Sequence, residues 1–230
     1  MKAGVIIAAG GIGKRMEGNK PKQFLELNGK PIICHTLERF ISIKQIEEIV
    51  VVLASDAIPV FQKEVAEAYS DIKNIKIVEG GKERQDSVNN GLKALSQDID
   101  VVLIHDAARP FIRSELINKA IDVAFNNGAA IVATPIKDTI KKVDSNLVIL
   151  TTVNREGFWG AQTPQAFQVK IIKEAFSRAY DDGFIGTDDA SLVERLGGEV
   201  RIIRGDSGNI KITTQDDLII AIAIAKEWNE

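Results

Sequence analysis

The feature that most limits how this chain folds is a repeated figure: a short apolar run, a polar or glycine break, then apolar residues at helical spacing. Ala3 to Ala9 is an apolar run of strand length that breaks into Gly10-Gly11-Ile12-Gly13. Over 30–43, Ile33, Leu37, Phe40 and Ile41 recur at helical spacing, with Pro31 suited to a first turn. Residues 49–53 and 101–104 are continuous apolar runs, which fit strands covered on both faces. Residues 75–78 form a shorter strand, and 58–69 and 83–95 read as helices. Ser114 reads as the N-cap of a helix through Asn126 that Gly128 closes, and 129–133 is a strand stopped by Pro135. This alternation predicts a Rossmann-like α/β fold: a mostly parallel twisted sheet, helices on both faces, right-handed crossovers, and ligands at the carboxyl ends of the strands. A chain of 230 residues that is 45% hydrophobic buries one core of this kind, so one domain over 1–230 is expected.

The rhythm changes at Thr139. Residues 138–143 alternate at period two, 144–146 form a turn, and 147–150 return. A hairpin of this size is marginal alone in water. The expectation is an arm over about 136–157 that projects and packs against a second copy of the chain, making a homodimer. Helices at 170–180, 188–196 and 215–228, with a strand at 199–203, complete the reading.

Charge is local rather than global. The net charge of −3 argues against a general nucleic-acid binder or a membrane-surface protein. Yet Lys14, Arg15, Lys20 and Lys22 crowd in behind the first glycine loop. Glycines without Cβ let backbone N–H groups approach phosphate oxygens, and the cations add side-chain charge at the same place. The loop is neither of the better-known phosphate loops. The third glycine of a dinucleotide fingerprint would fall at Met16, and a Walker loop would need Ser or Thr at Arg15 and Gly at Ala8. Cys34 is the only cysteine and reads as buried filler in a reducing compartment. No apolar run reaches ~18 residues and no signal segment precedes the first strand, so a cytoplasmic protein is expected.

Three further islands follow strands or interrupt apolar surroundings. Asp106, in 105–110, is placed to hold Mg²⁺ beside a polyphosphate, with Arg109 ready for an anionic group. His105 has no partners for a metal cluster or a triad and reads as a structural hydrogen-bonder. The turn at Gly80 and Gly81 runs into a helix carrying Ser87, and its N–H groups and hydroxyl are candidates for reading a base or ribose. Lys211 lies between Ile210 and Ile212, and the spacing leaves open whether it is a surface or a site lysine. No Ser-His-Asp arrangement, zinc spacing or kinase lysine set is present. The residues therefore point to phosphoryl or nucleotidyl transfer by positioning and charge neutralisation.

The motifs AGGIGKRM (9–16), PKQF (21–24), EGGKERQDSV (79–88), HDAARP (105–110), PIKDTI (135–140), QTPQAF (162–167), TDDA (187–190) and NIKIT (209–213) occur in this order. The set resembles the 2-C-methyl-D-erythritol 4-phosphate cytidylyltransferase family over about residues 3–220. The resemblance implies transfer of CMP from CTP to the phosphate of methylerythritol phosphate, with Mg²⁺ and release of pyrophosphate. It implies that Arg15, Lys22 and Lys211 are catalytic and stabilise the α-phosphate. It places Ala9, Gly10, Gly11 and Gly13 along the triphosphate, and Gly81, Ser87 and Ala107 at cytosine and ribose. It gives Asp106 and Thr187 to the sugar-alcohol phosphate or the metal, and Arg109, Thr139 and Arg155 to the second substrate. Thr139 and Arg155 would serve the neighbouring subunit's site. The Ala-Gly-Gly-x-Gly form is also similar to the sibling ribitol-5-phosphate cytidylyltransferases, the alternative acceptor class.

Overall fold

The first apolar run forms strand β1 (Ala3–Ala9) in a computed structural model that describes residues 1–10, 21–65, 69 and 74–228. Two short pairing segments follow, β2 (Glu26–Leu27) and β3 (Lys30–Pro31), then helix α1 (Ile32–Ile41). Pro31 occupies the position before the helix rather than its first turn. Next come β4 (Ile46–Leu53), α2 (Ile58–Glu64), β5 (Ile75–Glu79), α3 (Arg84–Ala94) and β6 (Val101–Asp106). Then follow α4 (Ser114–Asn127), β7 (Ala129–Pro135), β8 (Ile140–Val143), β9 (Ile149–Val153) and β10 (Trp159–Gln168). The chain closes with α5 (Val169–Asp181), α6 (Asp189–Arg195), β11 (Arg201–Arg204) and α7 (Gln215–Glu227). Ser114 is the first helical residue of α4 and Arg113 its cap. Gly128 ends that helix at φ 97, a conformation where a Cβ is strained.

Seven strands form one sheet in the order β11-β7-β10-β6-β1-β4-β5. All the pairings are parallel except those of β10, which runs antiparallel between β6 and β7. The alternation along the sequence does not anticipate β10. Its stretch is rich in Gln and contains Pro164, so it lacks the apolar signature of a central strand. The Thr163–Pro164 peptide is cis, and the register shifts between Ala161 and Gln165.

Successive residues of each central strand face opposite layers. Val5, Ile7, Val51 and Leu103 pack with Leu37 and Phe40 of α1, Phe61 of α2, and Ile117 and Ile121 of α4. Ile6, Val50, Val52, Val102 and Ile104 pack on the other side with Val88 and Leu92 of α3, Ile172 and Phe176 of α5, and Leu192 of α6. Both faces are therefore covered, as the continuous apolar runs require. Helix α7 lies apart and packs on Leu27, Ile32, Phe111 and Ile212.

The period-two stretch does form a hairpin. β8 and β9 pair antiparallel in a two-stranded sheet separate from the main one. Leu147, Val148, Ile149 and Leu150 are all exposed, Leu147 at 81%. The tip is closed by Asp144, whose Oδ1 accepts from the N–H groups of Asn146 and Val148.

Candidate active site

The carboxyl ends of β1, β5 and β6 open on one cleft of about 300 Å³. β1 brings Ala8, Ala9 and Gly10; the turn after β5 brings Gly81, Lys82 and Glu83; β6 brings Asp106, followed by Ala107 and Ala108. Lys22, Gln23, Arg84, Ser87 and Lys211 complete the wall. The sheet thus gathers Ala9, Gly10, Lys22, Gly81, Ser87, Asp106, Ala107 and Lys211 at one place. Gly11, Gly13 and Arg15 lie outside the described residues. Lys22 opens a short 3-10 turn, and the neighbouring Gln23 donates to the Ala9 carbonyl at 2.8 Å, which ties that turn to the end of β1.

Asp106 is the electrostatic centre. Its Oδ2 lies 2.8 Å from Lys211 Nζ and 3.7 Å from Arg109 Nε. Its Oδ1 meets Arg84 Nε only at 3.8 Å, beyond hydrogen-bond distance. Burial by itself would raise this carboxyl; Lys211, Arg84 and Arg109 together outweigh burial and hold it at about 2. Asp106 is therefore ionised, with acceptor capacity left on Oδ1. Among the described residues, no group of three or more His, Cys, Asp or Glu side chains could hold a metal. A metal here would have to share Asp106 with substrate phosphates. That is how Mg²⁺ usually binds, through one or two carboxylates plus phosphate oxygens, so the donor set fits.

His105 lies beneath the cleft and is completely buried. The Thr163 hydroxyl oxygen accepts from the Asp106 N–H at 3.1 Å and lies 3.0 Å from His105 Nδ1. The Arg109 carbonyl, 3.0 Å from Nε2, can only accept, which assigns the ring proton to Nε2 and leaves Nδ1 to accept from the Thr163 hydroxyl. Burial pushes this imidazole down to about 4, so it is neutral and holds Asp106, Arg109 and β10 in fixed relation. Arg109 in turn donates through Nη1 to the Asn209 carbonyl at 2.7 Å, and the Ile212 N–H donates to Ala108. These bonds seat the segment that carries Lys211.

The glycine turn after β5 is already satisfied from within. The Gly80 N–H donates to the Leu53 carbonyl, and the Gly81 N–H donates to Ser87 Oγ at 3.0 Å. Ser87 Oγ donates to Glu83. A Cβ at Gly81 would come within 2.2 Å of Asp86 Cβ, so only glycine fits.

The remaining expected residues are not in the cleft wall. Arg109 stands beside it through Asp106. Thr187 is exposed, just ahead of α6. Thr139 and Arg155 are exposed at the base of the arm, where Arg155 donates to the Lys137 carbonyl. Arg84 lies in the span from Gly80 that follows β5, where functional residues are expected, but the sequence assigns it no role of its own. Its partner Asp189, 105 residues away, lies in the TDDA motif, but nothing local pairs it with Arg84.

A Rossmann-like sheet with a cationic cleft at its switch edge defines this chain as a nucleotide-handling transferase of the nucleotidyltransferase class. The profile of the 2-C-methyl-D-erythritol 4-phosphate cytidylyltransferase family matches residues 3–227. The chain belongs to that family. It is 46% identical over 226 residues to the 2-C-methyl-D-erythritol 4-phosphate cytidylyltransferase of Syntrophus aciditrophicus, covering 98% of this chain and 97% of that protein. The enzyme of the same name from Alkaliphilus oremlandii is 45% identical over 229 residues, with coverage of 100% and 97%. Among solved structures, 4-diphosphocytidyl-2C-methyl-D-erythritol synthase from Anaerococcus prevotii superposes with a TM-score of 0.86 at 36% identity, covering 98% of this chain and 96% of that one. The Thermus thermophilus 2-C-methyl-D-erythritol 4-phosphate cytidylyltransferase gives 0.81 at 33%, covering 98% and 100%. These matches favour methylerythritol phosphate over ribitol phosphate as the acceptor.

Proposed function

We propose that this chain transfers CMP from CTP to 2-C-methyl-D-erythritol 4-phosphate in isoprenoid biosynthesis, and that the cleft around Asp106 is where it does so. An oxygen of the acceptor phosphate attacks the α-phosphorus of CTP. The new P–O bond forms as the bond to the bridging oxygen breaks, and pyrophosphate carries away the electron pair. Negative charge grows on the α-phosphate oxygens and on the leaving group. Lys22 and Lys211, which both line the cleft, are the residues to neutralise it, together with Arg15 from the glycine loop. Gly10, with Gly11 and Gly13, lies along the triphosphate. Gly81, Ser87 and Ala107 line the nucleoside end. The satisfied Gly81 N–H and Ser87 hydroxyl make that end rigid before ligand arrives. Arg109, Thr139, Arg155 and Thr187 receive the acceptor, with Thr139 and Arg155 reaching a neighbour's cleft from the arm of a homodimer.

Asp106 is the residue to hold Mg²⁺, which when bound neutralises triphosphate charge. The observation that carries this reading is the Lys211–Asp106 pair at 2.8 Å in a cleft that Lys22 also lines, at the carboxyl ends of the parallel strands β1 and β6. Among the described residues, no helix is long and apolar enough to cross a membrane, and a cytoplasmic enzyme that binds no nucleic acid is the companion proposal. The test is pyrophosphate release from CTP with methylerythritol phosphate, with ribitol 5-phosphate, and with no acceptor. Release that depends on methylerythritol phosphate is expected. Equal or better use of ribitol 5-phosphate would overturn the acceptor assignment, and no release from CTP would overturn the reaction.

A further inference from the structure

Arg84 is the first residue of α3 and lines the cleft. Its Nη2 lies 2.7 Å from Oδ2 of Asp189, whose side chain is only 2% exposed. Among the described residues its Nε and Nη1 make no hydrogen bond, and Nε stands 3.8 Å from Asp106. The guanidinium is thus gripped at one corner and open at the other two. What grips it is itself anchored. Gln165 of β10 accepts from the Asp189 and Ala190 N–H groups at 3.1 and 3.0 Å, and donates to Asp188 at 2.7 Å. Gln85, next to Arg84, accepts from the Gly186 N–H at 2.9 Å. The start of α6 is bolted to a central strand, and its one fully buried carboxylate points at a cleft cation.

A structural bolt between α3 and α6 has no need of a charge pair at the edge of a substrate cleft. Burying a carboxylate is costly, and an apolar contact would join the helices as well. The placement does something an apolar contact cannot. Without Asp189, the nearest anion to Arg84 is Asp106, only 3.8 Å away. Arg84 would close onto it and cover the carboxylate oxygen that stands open.

We propose that Asp189 is a positioning residue for this reaction: it holds Arg84 back from Asp106, so that the guanidinium meets a phosphate of the bound substrate and Asp106 Oδ1 stays available. The inference rests on the functional reading above. It adds Arg84 to the groups that touch substrate and assigns Asp189 to act through it.

The experiment uses the full-length chain and the variants Asp189→Asn, Arg84→Gln, Arg84→Lys and the double variant Asp189→Asn/Arg84→Gln. Binding of CTP with Mg²⁺ is measured by calorimetry without acceptor, alongside kcat, KM and Tm. Asp189→Asn keeps the backbone N–H groups that Gln165 accepts, and it is expected to raise the CTP Kd or lower kcat/KM about tenfold, the scale of one charge-assisted hydrogen bond. Arg84→Gln is expected to lose at least as much, and the double variant no more than Arg84→Gln alone, because Asp189 has nothing left to position. Arg84→Lys retains a cation for Asp189 but not the fork, and is expected to bind CTP several-fold more weakly at nearly unchanged Tm. Losses that multiply in the double variant would overturn the proposal. So would an Asp189→Asn protein with a lowered Tm and wild-type binding and kinetics. If Asp189→Asn does not fold, Arg84→Lys decides by itself, and wild-type affinity and turnover in it would overturn the proposal. Wild-type protein that releases no pyrophosphate from CTP would instead strike the functional reading, which separates the two failures.

Discussion

The cleft and the arm are built in opposite ways. Around Asp106 the polar side chains are tied to buried strand ends, while Asp106 Oδ1 and Arg109 Nε are left without a hydrogen bond. Lys211, Arg109, Thr163 and His105 form one interlocked set on buried strand ends. In the arm the polar contacts are local, such as Lys141 to Thr152, and the larger apolar side chains stand in solvent. A site that must stabilise developing charge gains from fixed dipoles and charges, which only a packed scaffold supplies. A two-stranded ribbon cannot pack its own apolar residues. In the proposed homodimer those residues meet a second copy, and the arm carries Thr139 and Arg155 toward the partner's cleft.

Four measurements test that contrast. The largest effect is expected at Lys211. In the proposed reaction, replacing it by alanine takes a fixed cation away from the reacting phosphate and should cut kcat on the order of 10²- to 10³-fold. A loss of less than tenfold would mean that the interlocked set is structural only. The arm is tested by mixing two inactive proteins, Lys211→Ala and Arg155→Ala. If sites are shared between subunits, a mixed dimer holds one intact site. Random exchange should then recover about a quarter of wild-type activity. Mixtures that stay inactive, or a fully active monomer in sedimentation, would confine each site to one chain.

The third measurement concerns pH. Burial depresses the His105 imidazole from 6.5 to about 4, so the unfolded chain takes up a proton first as the pH falls. The stability held by neutral His105 is full above pH 6.5 and declines toward pH 4, by on the order of 3 kcal/mol. His35, also pushed down by burial, adds to the same window. Asp106, held at about 2 against an ordinary 3.8, contributes stability that persists above 3.8 and is lost as the pH falls toward 2. Urea denaturation at pH 7, 5.5 and 4.5 should show the decline, with a shallower slope in His105→Asn. An unchanged slope would place the proton linkage elsewhere.

The smallest effect is expected at the arm tip, where Leu147 sits at φ 63. Asparagine tolerates that conformation better, so Leu147→Asn should stabilise a free hairpin by up to about 1 kcal/mol. Weaker self-association in the same variant would show that the tip is a subunit contact.

Much of the fold was legible in the residues. Helix α5 and strands β1 and β5 fall within about a residue of where spacing puts them, because apolar periodicity reports which face must be buried. The hairpin was equally clear from its period-two stretch. Strand β10 was not. A strand paired on both sides beside the cleft keeps Gln162, Thr163 and Gln165 because each has a defined partner, so function hides it from a hydrophobicity rule. In the site, glycines and clustered cations marked Gly10, Lys22 and Gly81, since a turn with exposed N–H groups is a local property. The span 80–84 was marked too, but the role of Arg84 in it was not, because its partners Asp189 and Asp106 are distant in sequence.

The amino-acid order by itself determined the alternation of buried strands and covering helices, the loops where phosphate chemistry gathers, and membership of a cytidylyltransferase family. Those depend on neighbours within a turn or two of the chain. Only the tertiary structure decided that β10 enters the sheet antiparallel, that Lys211 closes on Asp106, and that Asp189 faces Arg84. Each joins segments distant in sequence, and the strength of a charge pair depends on the burial and distance that folding sets.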